Sequence, residues 1–315
     1  MSDDAARSLR IGLLQLADSA PVMVARAFGL FARHGIAAEI AVEPSWANLA
    51  DKLTWGMLDA AVMFAPLAII TATGARGRAV PLHLAQPLSR GGNMIVLRGE
   101  RSASFAAWAR GLGRLPRIAV VHIHSTHHLI LRRFLATQGV EPENGIELLV
   151  MPPVNIVEAL EAGEIDGFCA GAPWGAEAIG RSLGFEIAGS RHLVPGHLEK
   201  SLFVAASWLD ADPSRLARLG HALREARALC ADPANHNDIA ALLTAPIAEG
   251  GLGLPLGATA SAFAADLQSG ERLDFRPVEP VTVQDLAWQL SDMRRLGWMA
   301  DDALPFALIE PAPLP

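Results

Sequence analysis

Four histidines fall between positions 122 and 128: His122, His124, His127 and His128. Imidazoles at that density suggest a metal, but zinc wants three or four ligands that converge. Here His122 and His124 share one face of an expected strand. His127 and His128 open an expected helix and diverge by about 100° around its axis. An anion fits this pattern better, because the first turn of a helix leaves N–H groups free and His127 adds a donor. A solvated or satisfied imidazole is the plain alternative for each, and no metal is expected.

Other polar chemistry stands at junctions. Trp46, in Pro44-Ser45-Trp46-Ala47-Asn48, follows an expected strand and opens a helix. Its indole either stands over a crevice with N–H inward or anchors the helix in the core. Ser45 is a candidate N-cap. Pro152-Pro153-Val154-Asn155 shapes a second strand-to-helix turn, with ordinary turn chemistry as the alternative reading of Pro153. Lys200, in His197-Leu198-Glu199-Lys200, reads as a lone cation in an irregular stretch containing Pro and Gly, exposed by default. Catalytic templates fail: there is no Gly-x-Ser-x-Gly elbow, P-loop, Gly-x-Gly-x-x-Gly or Cys-x-x-Cys. Cys169 sits mid-strand and reads as packing. These residue types bind rather than react, and no cofactor is implied.

The elements around them must build a crevice. The chain has 315 residues, 51% hydrophobic and 19% charged, with a net charge of −7. That length suggests about two domains, and the composition is the reverse of a disordered chain. The scattered basic residues offer no phosphate-tracking surface, so direct nucleic-acid binding is not expected. The first residues carry two acids where an export signal needs a basic region. No run of about 18 apolar residues follows, so no spanning helix is expected. Two distant cysteines do not form a disulfide framework. A soluble cytoplasmic protein is the simplest expectation.

Strand signals at 10–16, 36–43, 58–64 and 80–86 alternate with helical periodicity at 21–35, 46–56 and 67–73. The rhythm repeats with strands at 117–123, 146–151, 165–170 and 185–188 and helices at 126–138 and 154–162. The last third reads as helical, with helices at 213–230, 235–244 and 281–299. Alternating βα units imply mostly parallel sheets covered by helices, with ligands held at strand C-terminal ends.

Taken together, Leu13–Pro21, Pro44–Leu53, Gly56–Pro66, Gly91–Leu97, Ser125–Ala136, Pro152–Trp174, His197–Lys200 and Cys230–Asn235 resemble one family. It comprises the nitrate- and bicarbonate-binding proteins of ABC importers and their cytoplasmic nitrate/nitrite-sensor branch of NasS type, which the chain resembles most. The resemblance implies an α/β, two-lobed clamshell like the type II periplasmic binding proteins, each lobe a mostly parallel sheet flanked by helices. It divides the chain into a discontinuous first lobe, residues 1–93 and 203–315, and a second lobe, 94–202. It also implies an anion site at Trp46, Asn93, His127, Pro153 and Lys200. Trp46 and Asn93 then belong to the first lobe, and His127, Pro153 and Lys200 to the second or its border.

Departures accompany the match. Gly171-Ala172-Pro173-Trp174-Gly175 stands where transport members resemble Gly-Glu-Pro-Trp-Asn, which removes a carboxylate from any calcium-type site. Asn93 stands where they often carry Gln, and Lys200 where the bicarbonate branch is acidic. Nitrate or nitrite carries one charge on oxygens that only accept hydrogen bonds. The expected pocket therefore presents an ammonium, an imidazole and an amide N–H with no carboxylate nearby, and Lys200 is expected in a loop whose substitution spares the fold. The implied function is a cytoplasmic nitrate/nitrite sensor, not an enzyme, that controls an RNA-binding antiterminator. The alternatives are an importer's binding component and an enzyme like the thiamine-pyrimidine synthases, whose Cys-rich motif 166–170 does not reproduce.

Overall fold

The computed structural model describes residues 8–75, 77–210, 212–263, 271–277, 281–299 and 306–308. Among the described residues, twelve strands form two sheets. They are β1 (Leu9–Leu13), β2 (Ala38–Val42), β3 (Ala60–Met63), β4 (Leu82–Gly91), β5 (Asn93–Arg98), β6 (Arg117–Val120), β7 (Glu147–Val150), β8 (Gly167–Gly171), β9 (Gly184–Gly189), β10 (Leu198–Ala205), β11 (Leu273–Asp274) and β12 (Phe306–Leu308). The first sheet has the order β11-β4-β10-β3-β1-β2, with β12 also on β4, and the second has β7-β6-β8-β5-β9. The two-lobed α/β architecture is the expected one.

Each sheet is built on a parallel βαβ frame, β2-β1-β3 in one and β7-β6-β8 in the other. Each also holds an antiparallel strand entering from the other sheet's side: β10 against β3 and β4, and β5 against β8 and β9. The sheets are therefore more mixed than the helix-strand rhythm suggests. The cause is topological, because the chain crosses between sheets twice and meets each from the far end.

The crossings relocate two of the expected site residues. Asn93 is the first residue of β5 and pairs with Gly171 in the second sheet. Lys200 lies in β10, a central strand of the first sheet, and is fully buried. Both sit on the opposite side of the crevice from the one expected. The stretch read as irregular is thus only the approach, through Pro195 and Gly196, to an entirely buried strand.

Local signals explain the helix starts that matter. Ser45 caps the 46–54 helix by accepting from Asn48 N at 3.2 Å. Ser125 caps the 126–137 helix by accepting from His128 N at 3.0 Å. The 65–73 helix is buried along nearly its whole length, as its Ala, Ile and Leu content requires. Among the described residues, no helix is long and apolar enough to cross a membrane.

The lobes are closed on each other. Ala17 N donates to Ala172 O at 2.9 Å, and Trp174 Nε1 donates to Gln15 O at 3.1 Å. The 283–295 helix spans the junction. Its Asp285 pairs with Arg90 at 2.7 Å, Gln289 donates to Leu198 O at 2.9 Å, and Asp292 pairs with Arg133 of the second lobe at 2.6 Å. At the first crossing, Gly91 and Gly92 both have left-handed φ, 67° and 84°. Gly92 N donates to the Glu271 carboxylate, which also accepts from Ser190 Oγ and Arg191 N beside the second crossing. One acid thus ties both hinge strands.

Gly92→Ala should destabilise the protein by about 1–3 kcal/mol, since alanine pays the left-handed penalty and its Cβ meets Leu273 at 2.4 Å. A denaturant midpoint equal to wild type would show that the crossing tolerates a side chain.

Candidate functional site

Asp18 follows β1 in a short 3-10 turn, and neither it nor Ser19 makes a side-chain cap on the next helix, although an acid and a serine just before Pro21 have the composition of a cap. Instead its carboxylate lies 2.9 Å from Lys200 Nζ. Glu199 Oε1 lies 2.5 Å from the same ammonium. Adjacent strand residues ordinarily face opposite ways. The register of β10 against β4 shifts on both sides of Lys200, and such irregularities re-aim side chains at a site. All three groups are essentially inaccessible to water.

Two aromatic rings wall the ammonium. Lys200 Nζ stands 5.3 Å from the ring centre of Trp46 and 5.4 Å from that of Phe64, cation–π distances. The two rings contact each other at 4.5 Å, and Phe64 meets His127 edge-on at 5.8 Å across the lobe boundary. Trp46 is buried in the core, as one of its two readings had it, and its Nε1 makes no hydrogen bond.

The second lobe supplies His127, Asn93 and Gly171. His127 Nε2 is 3.6 Å from Glu199 Oε1, and neither ring nitrogen makes a hydrogen bond. Asn93 Nδ2 donates to Glu199 Oε2 at 2.6 Å and lies 3.0 Å from His197 Nε2. The amide donor expected for the anion is therefore engaged by an acid, and the free atom is the acceptor Oδ1. A Cβ built on Gly171 would stand 3.3 Å from His127 Nε2, 3.5 Å from Asn93 Oδ1 and 3.6 Å from Asp18 Oδ2. The bare glycine leaves a position surrounded by three polar groups from both lobes.

Trp46, Asn93, His127 and Lys200 thus converge. Pro153 is buried in the turn that follows β7, and takes no part in the contacts that join the other four. Sequence reasoning missed Asp18, Phe64, Gly171, His197 and Glu199. The expectation of a pocket without carboxylates is overturned: a fully buried ammonium needs counter-charge to lie inside the protein at all.

Burial raises the Asp18 carboxyl to about 6, with Lys200 opposing. Burial likewise lowers His127 to about 3, so its imidazole is neutral at pH 7. For Glu199, burial favours the protonated form, but Lys200, His127 and His197 outweigh it and hold the carboxyl well below its usual range. Lys200 is raised because Asp18 and Glu199 overcome its own desolvation. The Cys169 thiol is buried and pushed far up, which fits packing and not a nucleophile. Among the described residues, no group of three or more His, Cys, Asp or Glu side chains is placed to hold a metal.

A model of the NMT1-like family matches residues 2–244. The chain belongs to the NMT1-like family. Its relatives include the nitrate/nitrite binding protein NrtA of Synechococcus elongatus, 31% identical over 252 residues, covering 74% of this chain and 57% of that protein. The nitrate import ATP-binding protein NrtC of Synechocystis is 33% identical over 249 residues, 76% of this chain and 37% of NrtC. The bicarbonate-binding protein CmpA of Synechococcus elongatus is 25% identical over 261 residues, 77% and 58%. The chain therefore spans between 37% and 58% of these relatives' lengths. Among solved structures, periplasmic NrtA from Synechocystis superposes with a TM-score of 0.83 at 21% identity, covering 95% of this chain and 83% of that one. The alkanesulfonate-binding protein SsuA from Xanthomonas axonopodis pv. citri gives 0.72 at 18%, covering 96% and 99%. These likenesses establish the periplasmic-binding-protein-like fold, and the relatives bear out the resemblance to the nitrate- and bicarbonate-binding family.

Lys200→Ala should lower stability by about 3–5 kcal/mol, because two buried carboxylates lose their cation. This reverses the expectation of a tolerant loop. Adding Glu199→Gln should recover part of the loss, and chemical denaturation of both variants reads it directly. The Asp18 shift sets a pH dependence as well. Its folded value of about 6 exceeds the ordinary 3.8, so the folded protein holds the extra proton between them. The contribution to stability is present below pH 4 and is lost as pH rises through 6. Relative to wild type, Asp18→Asn should therefore gain up to about 3 kcal/mol as pH rises from 4 to 7. A flat difference profile would mean that Asp18 is not raised.

Proposed function

We propose that the chain is a binding protein of the ABC-importer type for a small oxyanion, nitrate, nitrite or bicarbonate. One observation carries the reading. A buried ammonium and three unpartnered polar side chains, Trp46 Nε1, His127 and Asn93 Oδ1, meet where two closed lobes touch. Such a set is costly unless a polar ligand completes it. The relatives' names, for nitrate, nitrite and bicarbonate, favour a small planar ion over a large one.

An anion there touches Trp46 and Lys200 from the first lobe and His127 and Gly171 from the second, and so favours the closed clamshell. Micromolar affinity needs about 8 kcal/mol in total. Charge-assisted bonds supply about 1.5–3 kcal/mol each, less the cost of ordering. Lys200 would contribute less than an unpaired lysine, since the ion must share it with two acids.

The same closure serves a second reading, a cytoplasmic nitrate/nitrite sensor that holds an RNA-binding antiterminator in the open form and releases it on closing. In this reading the bridging 283–295 helix and the glycine crossing would be the two-state element. The relatives' names support the importer type more directly.

Calorimetry with nitrate, nitrite and bicarbonate tests the proposal. At least one should bind at micromolar to low millimolar concentration. Trp46→Phe, which keeps the ring beside Lys200 and removes the indole N–H, should weaken binding roughly tenfold or more. No heat with any of the three ions at millimolar concentration would sink the reading.

A further inference from the structure

The polar groups around the Gly171 position are unbalanced for an ion that only accepts hydrogen bonds. Of the three nearest, Asn93 Oδ1 and Asp18 Oδ2 are acceptors, and only His127 Nε2 can donate. The orientation of Asn93 is set by its neighbour, because reversing the amide would place its oxygen 2.6 Å from the Glu199 carboxylate. The formal charge is unbalanced too, with two carboxylates against one ammonium. An arriving anion adds a second uncompensated negative charge to a space closed to water. The titratable groups facing Asp18 are Lys200 and Glu199 on β10 and His127 at the head of the 126–137 helix. His197 stands behind Glu199 at 3.0 Å.

These groups differ in where they can accept a proton. Glu199 takes Lys200, Asn93 and His197 as partners, and protonation would break the contacts that join the lobes. Lys200 is already charged. His127 is fully buried beside Lys200, and its nearest carboxylate, Glu199 Oε1, stands 3.6 Å away, so burial and the ammonium hold its imidazole neutral, at about 3. Asp18 has Lys200 as its one close partner, and its Oδ2 faces the Gly171 position. Protonated there, it turns an acceptor into an O–H donor, brings the acid–ammonium cluster to neutrality and frees Lys200 for the ion.

We propose that this site binds its oxyanion together with one proton, and that Asp18 carries that proton. The inference deepens the anion-binding reading and rests on it. The balance is simple: one proton from solvent forms the Asp18 O–H bond, one anion enters, and no bond in the ligand breaks. An ion that brings its own O–H, as bicarbonate does, can donate to ionised Asp18 and bind without the extra proton. Nitrate and nitrite have none to donate. The ordinary burial of Asp18, which already raises its carboxyl to about 6, makes the proton available near neutral pH.

Nitrate calorimetry between pH 5.5 and 8.5, in pairs of buffers with different ionisation enthalpies, reads the proton count on the wild-type protein. Close to one proton should be taken up per nitrate above pH 7. The Kd should be nearly flat below pH 6 and rise about tenfold per pH unit above it. Asp18→Asn, isosteric and neutral, should bind nitrate with no proton uptake and a flat pH profile. Nitrate binding by wild type without buffer dependence overturns the inference and leaves the anion site standing. Uptake that persists in Asp18→Asn overturns it as well. An absence of nitrate, nitrite and bicarbonate heat at every pH removes the functional reading, and this inference with it.

Discussion

Lys200 is held inside the protein by Asp18 and Glu199, and much of the architecture around the crevice follows from that one buried cation. An ammonium removed from water requires counter-charge within contact distance. One acid arrives on the turn after β1. The other is its own chain neighbour, turned to the same side by the irregular register of β10 against β4. The aromatic faces of Trp46 and Phe64 complete the shell. Glu199 then does what Asp18 does not: through Asn93 and His127 it reaches the second lobe. The cation that an anion would seek is thus also the centre of a network spanning both lobes.

Lobe geometry has a parallel economy. The chain crosses between sheets at Gly91-Gly92 and again between β9 and β10, and Glu271 accepts hydrogen bonds from both places. The 283–295 helix bridges the same junction through Asp285, Gln289 and Asp292. These polar contacts lie largely at the ends of elements, beside an apolar cluster that runs through both lobes and includes Phe168 and Trp174. The close-packed interior of aliphatic and aromatic side chains resists rearrangement within each sheet and its helices. On the clamshell reading proposed above, opening would concentrate at the crossings and on the bridging helix.

Much of this was legible in the residues. The βα rhythm marks the parallel frame of both sheets, and Ser45 and Ser125 mark the helices that carry Trp46 and His127. Ordered local matches along the chain point to the family. What escaped did so for physical reasons. Asp18 in Leu16-Ala17-Asp18-Ser19-Ala20-Pro21 has the composition of a helix cap, and only the long-range approach of β10 gives it another partner. Glu199 beside Lys200 looks like a surface pair because local sequence carries no sign of burial at a central strand. Asn93 and Lys200 changed lobes because each lies within a few residues of a crossing, where the helix-strand pattern says nothing about which sheet comes next. Gly171 escaped because its contribution is the absence of a side chain.

On the proposed anion-binding reading, ligand entry at such a site is exchange and not simple addition. Lys200 already has two carboxylates, so an incoming ion gains only the difference between its own contact with the ammonium and the contact it displaces. That exchange separates affinity from selectivity. Affinity is limited because Lys200 is already paired with Asp18 and Glu199. Selectivity is sharpened because the ion must match what remains: the donor of Trp46, the two-sided imidazole of His127, the acceptor of Asn93 and the small space over Gly171. An oxyanion too large for that space holds the lobes apart. One too poor in acceptors leaves the indole unpaired at a cost of about 1–3 kcal/mol.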